Sequence, residues 1–260
     1  MYREASRIGD TLTDTIGWLA NWDRTSEVVL VDDGSPDNTV EVVQAFLTDL
    51  PSGNLQCVRL VTLKKNLGKG GAVRAGLAAS RGEMVLMMDA DNAATIREVD
   101  KLVSLMTADT GIVAGSRNAD DAQVDAVAFR ALTGLVFRLA LAAMRMNVIS
   151  DTQCGFKLYS RSASDLIVKL CTHNDYVFDL EHMLLARRAG LAVKERGIAW
   201  KHIEGGQVSA ISDGIKMLRA TVKLRRKLNS ISDKTIRKAM AESPKSAVMI
   251  EAKPPAMVMR

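Results

Sequence analysis

Asp89 and Asp91 stand one residue apart at the end of the apolar run in "LMMDADNAAT", residues 86–95. Along a continuing strand, two such side chains point to opposite faces. If the chain turns there, both carboxylates can reach one hard cation, which takes oxygen ligands and keeps waters and substrate phosphates in its shell. The same acids also suit the first turn of a following helix, with Asn92 or Thr95 as its cap. Asp32-Asp33-Gly34-Ser35 after "EVVLV" and Gly115-Ser116-Arg117 after "GIVA" end apolar runs in the same manner. A carboxylate ahead of Gly-Ser can be turned toward a base or a ribose while the backbone stays close, although a solvated turn has the same signature. "NLGKGGAVRAG" sets four glycines, Lys69 and Arg74 around a helix start. Its spacing is not that of a Walker A loop, which leaves an anion-binding helix N-terminus as its chemistry.

The elements that must position these clusters are legible as an alternation. Ile8, Leu12, Ile16 and Leu19 predict a helix over about 5–20, followed by a strand at Glu27–Val31 and a helix in "TVEVVQAFLTDL". "QCVRLVTL", "MVLMMDAD" and "GIVAGSR" predict further strands, with a small-residue helix closing at Gly82 and another helix over Ile96–Met106 between them. Such alternation predicts an α/β fold with a mostly parallel sheet and helices on both faces. Ligands gather at the carboxyl ends of such strands, so the three acidic and basic clusters are expected on one rim.

Beyond Arg117 the pattern changes to a polar loop and a long apolar stretch over 126–149 bearing Arg130, Arg138 and Arg145. These arginines are eight and seven residues apart, which at about 100° per residue puts them within about 80° on one unbroken helix. A basic stripe on an apolar helix suits a membrane surface rich in lipid phosphate, or else the exposed face of a core helix. Three charges argue against a membrane span. "SDTQCGFKLYSR" predicts a loop and a short strand, and helices are expected at 178–189 and 211–228, the latter ending in basic residues. One catalytic domain over 1–229 and a disordered basic tail over 230–260 complete the expected organisation.

Composition narrows the class further. The 260 residues carry a net charge of +5 and are 47% hydrophobic, as befits a globular chain with anionic partners. With 4% aromatic residues and no nucleic-acid motif, the basic balance is not that of a nucleic-acid binder. Cys57, Cys154 and Cys171 form neither a disulfide framework nor a zinc-ligand pattern.

"VVLVDDGSPDNT", "NLGKGGAVRAGLAASRGEMVLMMDAD", "VAGSR" and "DTQCGFKLYSR", in this order, resemble family 2 glycosyltransferases of the GT-A fold. The likeness is greatest to dolichyl-phosphate β-glucosyltransferases and next to dolichyl-phosphate mannose synthases. It implies inverting transfer of glucose from UDP-glucose to a dolichyl or polyprenyl phosphate, with Mg²⁺ or Mn²⁺ as cofactor and GDP-mannose as the alternative donor. By the same resemblance Tyr2, Glu4, Asp32, Asp33, Lys69 and Asp89 would bind the nucleotide, and Asp89 and Asp91 the metal. Arg117, Arg130, Gln153 and Lys157 would meet the acceptor phosphate. Asp91 and Arg117 would serve catalysis, with Asp179 and Glu181 in "YVFDLEHM" as candidate bases, though either could simply pair with a nearby cation. The implied location is the cytoplasmic face of a membrane, peripherally bound: endoplasmic reticulum in a eukaryote, plasma membrane in a prokaryote.

The resemblance also marks a difference. Family members open with a buried strand and the pattern Pro-x-Tyr-Asn-Glu, of which "MYREA" keeps Tyr2 and Glu4, while Arg3 replaces Asn and the strand and its Pro are missing. Loss of that strand is expected to expose a sheet edge, so an inactive binding module of the same fold is a further reading.

Overall fold

The helical spacing at the start of the chain produces α1 (Ile8–Ala20), which buries Ile8, Leu12, Ile16 and Leu19 on one face. The computed structural model describes residues 1–48, 55–125, 141, 146–175, 177–203 and 210–242. β1 (Ser26–Asp32), α2 (Thr39–Leu47) and β2 (Leu55–Thr62) form a unit in which the two strands pair in parallel, Asp32 opposite Thr62. α3 (Lys69–Ala79) leads to β3 (Met84–Met88), and a 3₁₀ turn at Ile96–Glu98 runs into α4 (Val99–Val103) and β4 (Thr110–Ser116). Then come β5 (Gln123–Asp125), β6 (Phe156–Ser160), α5 (Arg161–Leu170) and α6 (Phe178–Arg188). β7 (Ala192–Gly197), β8 (Ala199–Lys201), α7 (Ala210–Ser230) and α8 (Asp233–Ala241) complete the described elements.

The strands lie in the order β3-β6-β4-β7, beside the separate pairs β1-β2 and β5-β8. Period-two alternation sorts the side chains. Ile112, Ala114 and Tyr159 face a core built with α3, α5, α6 and α8, while Val113, Phe156 and Leu158 face Leu19 of α1 and Val99 and Leu102 of α4. The α/β class with helices on both faces is therefore as expected. The sheet is mixed rather than mostly parallel, because β6 lies antiparallel between β3 and β4. Strand direction has no local signature, and β6 enters only after the long excursion that follows β5.

Among the described residues β1 and β3 are not hydrogen-bonded to each other. Met1 lies along the β1 edge: its amino group donates to Val31 O at 2.6 Å and its carbonyl accepts from Asp33 N at 2.8 Å. Val28–Val31 are accordingly only half-buried, whereas β4 is buried throughout.

The tail requires a correction. Ser232 caps α8 by accepting from Thr235 N, and Ile236 and Ala239 are buried, so 230–242 is structured. An amphipathic nine-residue helix with a serine cap can dock on α5, which low overall hydrophobicity had concealed. Of the 126–149 stretch, Arg130, Arg138 and Arg145 lie outside the described residues.

Candidate active site

β1 delivers Asp32 and Asp33 to its carboxyl end, both buried. Asp32 Oδ2 accepts from Gly34 N at 3.1 Å and Ser35 N at 3.0 Å, bracing a turn in which Gly34 has φ +69°. Its Oδ1 is buried with no hydrogen-bond partner among the described residues. Asp33 is used differently. Its two oxygens accept from Leu67 N (2.7 Å) and Gly68 N (2.9 Å), so it anchors the glycine-bearing loop that opens α3. Of the two acids, Asp32 retains the oxygen without a protein partner.

That loop presents Lys69, whose Nζ lies 2.7 and 2.9 Å from the two carboxylate oxygens of Asp89. Burial opposes the charge on Lys69, but Asp89 and then Asp179 outweigh it and raise its pKa. Asp89 is seated against Gly155: a Cβ there would fall 1.8 Å from Asp89 Oδ2. Asp89 N also donates to Gly155 O at 3.0 Å. Asp91 Oδ1 accepts from Ala93 N at 3.1 Å, closing the turn in which Asn92 takes φ +57°. The chain thus turns directly after β3, with Asp89 and Asp91 on either side of Ala90. Among the described residues no three His, Cys, Asp or Glu side chains converge on one point, so Asp89 and Asp91 are the carboxylates that β3 and its turn offer. Two carboxylates alone would suit only a hard cation whose shell is completed by water and phosphate oxygens.

On the next strand, Arg117 forms a bidentate pair with Asp151, Nε to Oδ2 at 2.7 Å and Nη2 to Oδ1 at 2.9 Å, and its guanidinium lies 5.4 Å from the Trp200 ring centre. Burial acts against charge on both partners. Their mutual bonds prevail, raising the guanidinium pKa and lowering that of Asp151. Gln153 N bonds Asp151 Oδ1 at 3.2 Å, while its Nε2 is buried without a partner among the described residues. Burial first, and Asp151 second, push the Cys154 thiol up to about 11, which excludes a thiolate nucleophile at neutral pH.

Lys157 is wholly buried and bonds Asp179 Oδ1 at 2.6 Å and the Cys154 carbonyl. It cannot reach an acceptor phosphate in this arrangement, contrary to the expectation from sequence, because β6 points it inward toward α6. Burial drives the Asp179 carboxyl up, against the pull of Lys157 and Lys69. Glu181 is 1% exposed at its side chain, ion-paired to Lys227, and accepts from Thr172 N and His173 N. Burial would raise its pKa, but His173 and Lys227 bring it down to about 2, an unfavourable value for a general base.

At the N-terminus, Arg3 lies 5.4 Å over the Tyr2 ring, and the Glu4 carboxylate pairs with Arg7 while Glu4 N bonds Thr39 Oγ1 at 2.9 Å. Asp33, Lys69, Asp89 and Gly155 are thus linked by contacts through the 67–69 loop, with Asp32 beside Asp33, while Arg117 and Asp151 form a second paired group after β4. Asp151 and Gly155 are absent from the sequence-based candidates. Both stand in "SDTQCGFKLYSR", and the only sequence signal was a glycine directly before a strand.

The model of glycosyl transferase family 2 matches residues 1–167. The chain is 32% identical over 237 residues to the dolichyl-phosphate β-glucosyltransferase of Dictyostelium discoideum, covering 86% of this chain and 71% of that one. It is 36% identical over 228 residues to a dolichyl-phosphate β-glucosyltransferase of Trichomonas vaginalis, covering 83% and 66% respectively. Its fold is similar to that of glucosyl-3-phosphoglycerate synthase from Mycobacterium tuberculosis, solved in complex with Mn²⁺ and UDP-glucose, with a TM-score of 0.62 at 20% identity over 85% of this chain and 75% of that one. With the matched region running from β1 through the Asp89–Gly155 and Arg117–Asp151 contacts, the chain belongs to the family 2 glycosyltransferases and is a glycosyltransferase.

Proposed function

We propose that this glycosyltransferase moves glucose from UDP-glucose to dolichyl phosphate or a related polyprenyl phosphate, with inversion. The observation that carries this reading is the Asp89 carboxylate, seated in the space left by Gly155 and paired with Lys69 at the end of β3. The curated relatives bearing the dolichyl-phosphate β-glucosyltransferase name support the choice of sugar and acceptor. In the reaction an acceptor phosphate oxygen forms the bond to the anomeric carbon as the bond to UDP breaks, and the electron pair departs on UDP. The nucleophile is already an anion, so no proton need be removed, in keeping with the ion-paired state of Asp179 and Glu181.

The chain's residues divide the work. Asp32 Oδ1, the buried acceptor without a partner, is offered to a donor group of the nucleoside. Lys69 supplies positive charge beside Asp89, and Arg117, held by Asp151, supplies it beside the acceptor. Asp89 and Asp91 would hold Mg²⁺ or Mn²⁺, which when bound adds charge stabilisation for the departing diphosphate. We place the enzyme peripherally at the cytoplasmic face of a membrane. No helix among the described residues is long and apolar enough to cross one. α7 packs through Thr221, Leu224 and Leu228 and exposes Val222, Lys223, Arg225 and Arg226, a face suited to anionic headgroups.

Turnover of UDP-glucose with dolichyl phosphate and Mn²⁺ tests the reading, and Asp91→Asn is expected to abolish transfer without unfolding the chain. Turnover only with GDP-mannose would replace the donor. The absence of β1–β3 pairing among the described residues favours one other reading, an inactive module of the same fold that does not hold nucleotide, which measurable metal-dependent UDP binding would reject.

A further inference from the structure

Glu181 is buried too deeply to meet a substrate, and the side-chain contacts that hold it all lie outside α6. Its Oε2 accepts from Thr172 N at 3.1 Å and His173 N at 2.9 Å, and its Oε1 faces Lys227 Nζ of α7 and His173 Nδ1, the latter at 3.1 Å. Lys227 grips the same segment from the other side, through Thr172 Oγ1 and, at 3.3 Å, Leu170 O. Segment 171–174 is therefore clamped between two helices.

The far side of that segment is the mould for the glycine-bearing loop. Asn174 O accepts from Gly70 N at 3.0 Å, and Arg74 bonds His173 O at 2.7 Å and Asn174 Oδ1 at 2.6 Å. The approach is so close that a Cβ on Gly68 would lie 2.6 Å from Asn174 O, and one on Gly70 2.5 Å from His173 O. Only a glycine backbone fits there, at the point where Asp33 receives Leu67 N and Gly68 N and where Lys69 departs toward Asp89. Any shift of segment 171–174 must move this loop, because the contact is backbone on backbone.

We infer that Glu181 is a positioning residue: clamped by Lys227, it sets segment 171–174 and, through it, the loop that brings Lys69 to Asp89. The inference rests on the donor-site reading above for its kinetic consequence, but not for its structural one. It assigns α7 a part in building the donor site from outside it. It also removes Glu181 from the candidate bases, in agreement with a carboxyl held far below neutral pH.

Two arms test it on the full chain, with Lys227→Met as the gentler variant, since Lys227 is partly exposed, and Glu181→Gln beside it. In hydrogen exchange, both variants are expected to speed the Leu67, Gly68 and Gly70 amides at least about tenfold while leaving β4 amides unchanged, since the clamp controls a local opening. Unchanged loop amides overturn the inference. In kinetics, both are expected to raise KM for UDP-glucose about tenfold with kcat kept within about threefold, and Lys227→Arg to restore the wild-type KM. A fall in kcat at constant KM, with loss of the acidic limb of the pH profile, would make Glu181 a base and overturn it as well. A wild-type chain inactive on every nucleotide sugar rejects the proposed function, and the exchange arm then still decides the positioning role.

Discussion

Gly155 is the residue on which the donor-side geometry depends most sharply. A methyl group there would stand 1.8 Å from Asp89 Oδ2 and 2.2 Å from its Cγ, so one of the two must leave. The carboxylate is the mobile partner, and Gly155→Ala is expected to displace it from Lys69 while keeping the fold. Metal-dependent UDP binding, measured by calorimetry, should fall at least about tenfold, equivalent to about 1.4 kcal/mol. Wild-type affinity in that variant would show that Asp89 needs no such seat. Asp33 makes a separate case. Its two oxygens each receive a backbone N–H, whereas an asparagine would set an NH2 donor against one of those two N–H groups. Asp33→Asn should therefore cost about 1–3 kcal/mol by urea unfolding, the usual cost of leaving a buried donor unsatisfied. Charge type and spacing made Asp32, Asp33, Asp89 and Asp91 legible in the sequence. What each carboxylate touches was not, because Leu67, Gly68 and Gly155 are brought to them only by tertiary folding.

At the scale of elements, β6 and α6 are joined by the Lys157–Asp179 pair at 2.6 Å, with side chains 0% and 4% exposed. Removing one partner strands the other charge in the core. Lys157→Met is expected to destabilise the chain by about 3–5 kcal/mol, and adding Asp179→Leu to recover most of that loss, as for other buried ion pairs. Urea unfolding of both variants and the wild type decides the matter, since equal losses for single and double variants would mean that packing and not charge is at stake. Most elements of this layer were visible in the sequence where hydrophobic period and turn residues agreed, as for α1, β1, β3, β4 and α6. α5 went unrecognised although Ser160 caps it through Ala163 N, because its polar residues hide an amphipathic face. The antiparallel placement of β6 follows from the route of the chain between β4 and β6, which no local pattern records.

For the molecule as a whole, two neighbours on α6 make stability depend on acid in a defined way. Burial holds His182 neutral, bringing its pKa from 6.5 down to about 3, with Tyr159 Oη 3.2 Å from its Nδ1. An unfolded histidine takes up its proton near pH 6.5, so the unfolded state binds more protons as pH falls and stability is lost between 6.5 and about 3. Glu181, lowered from 4.5 to about 2 despite its burial, contributes stability above pH 4.5 that is lost as pH falls toward 2. The two windows run in the same direction and overlap between 4.5 and about 3, while protonation of other carboxylates increases a net charge that is already +5. Urea unfolding free energy is thus expected to fall by up to about 1.4 kcal/mol per pH unit just below pH 6 and more steeply below 4.5. His182→Phe, which fits the aromatic surroundings of Phe178 and Tyr159, should flatten the upper part of that curve and leave the lower part steep. Glu181→Gln should do the reverse. An unaltered slope between pH 6 and 5 in His182→Phe would mean that the buried imidazole is not the group titrating there, and that acid sensitivity arises elsewhere in the molecule.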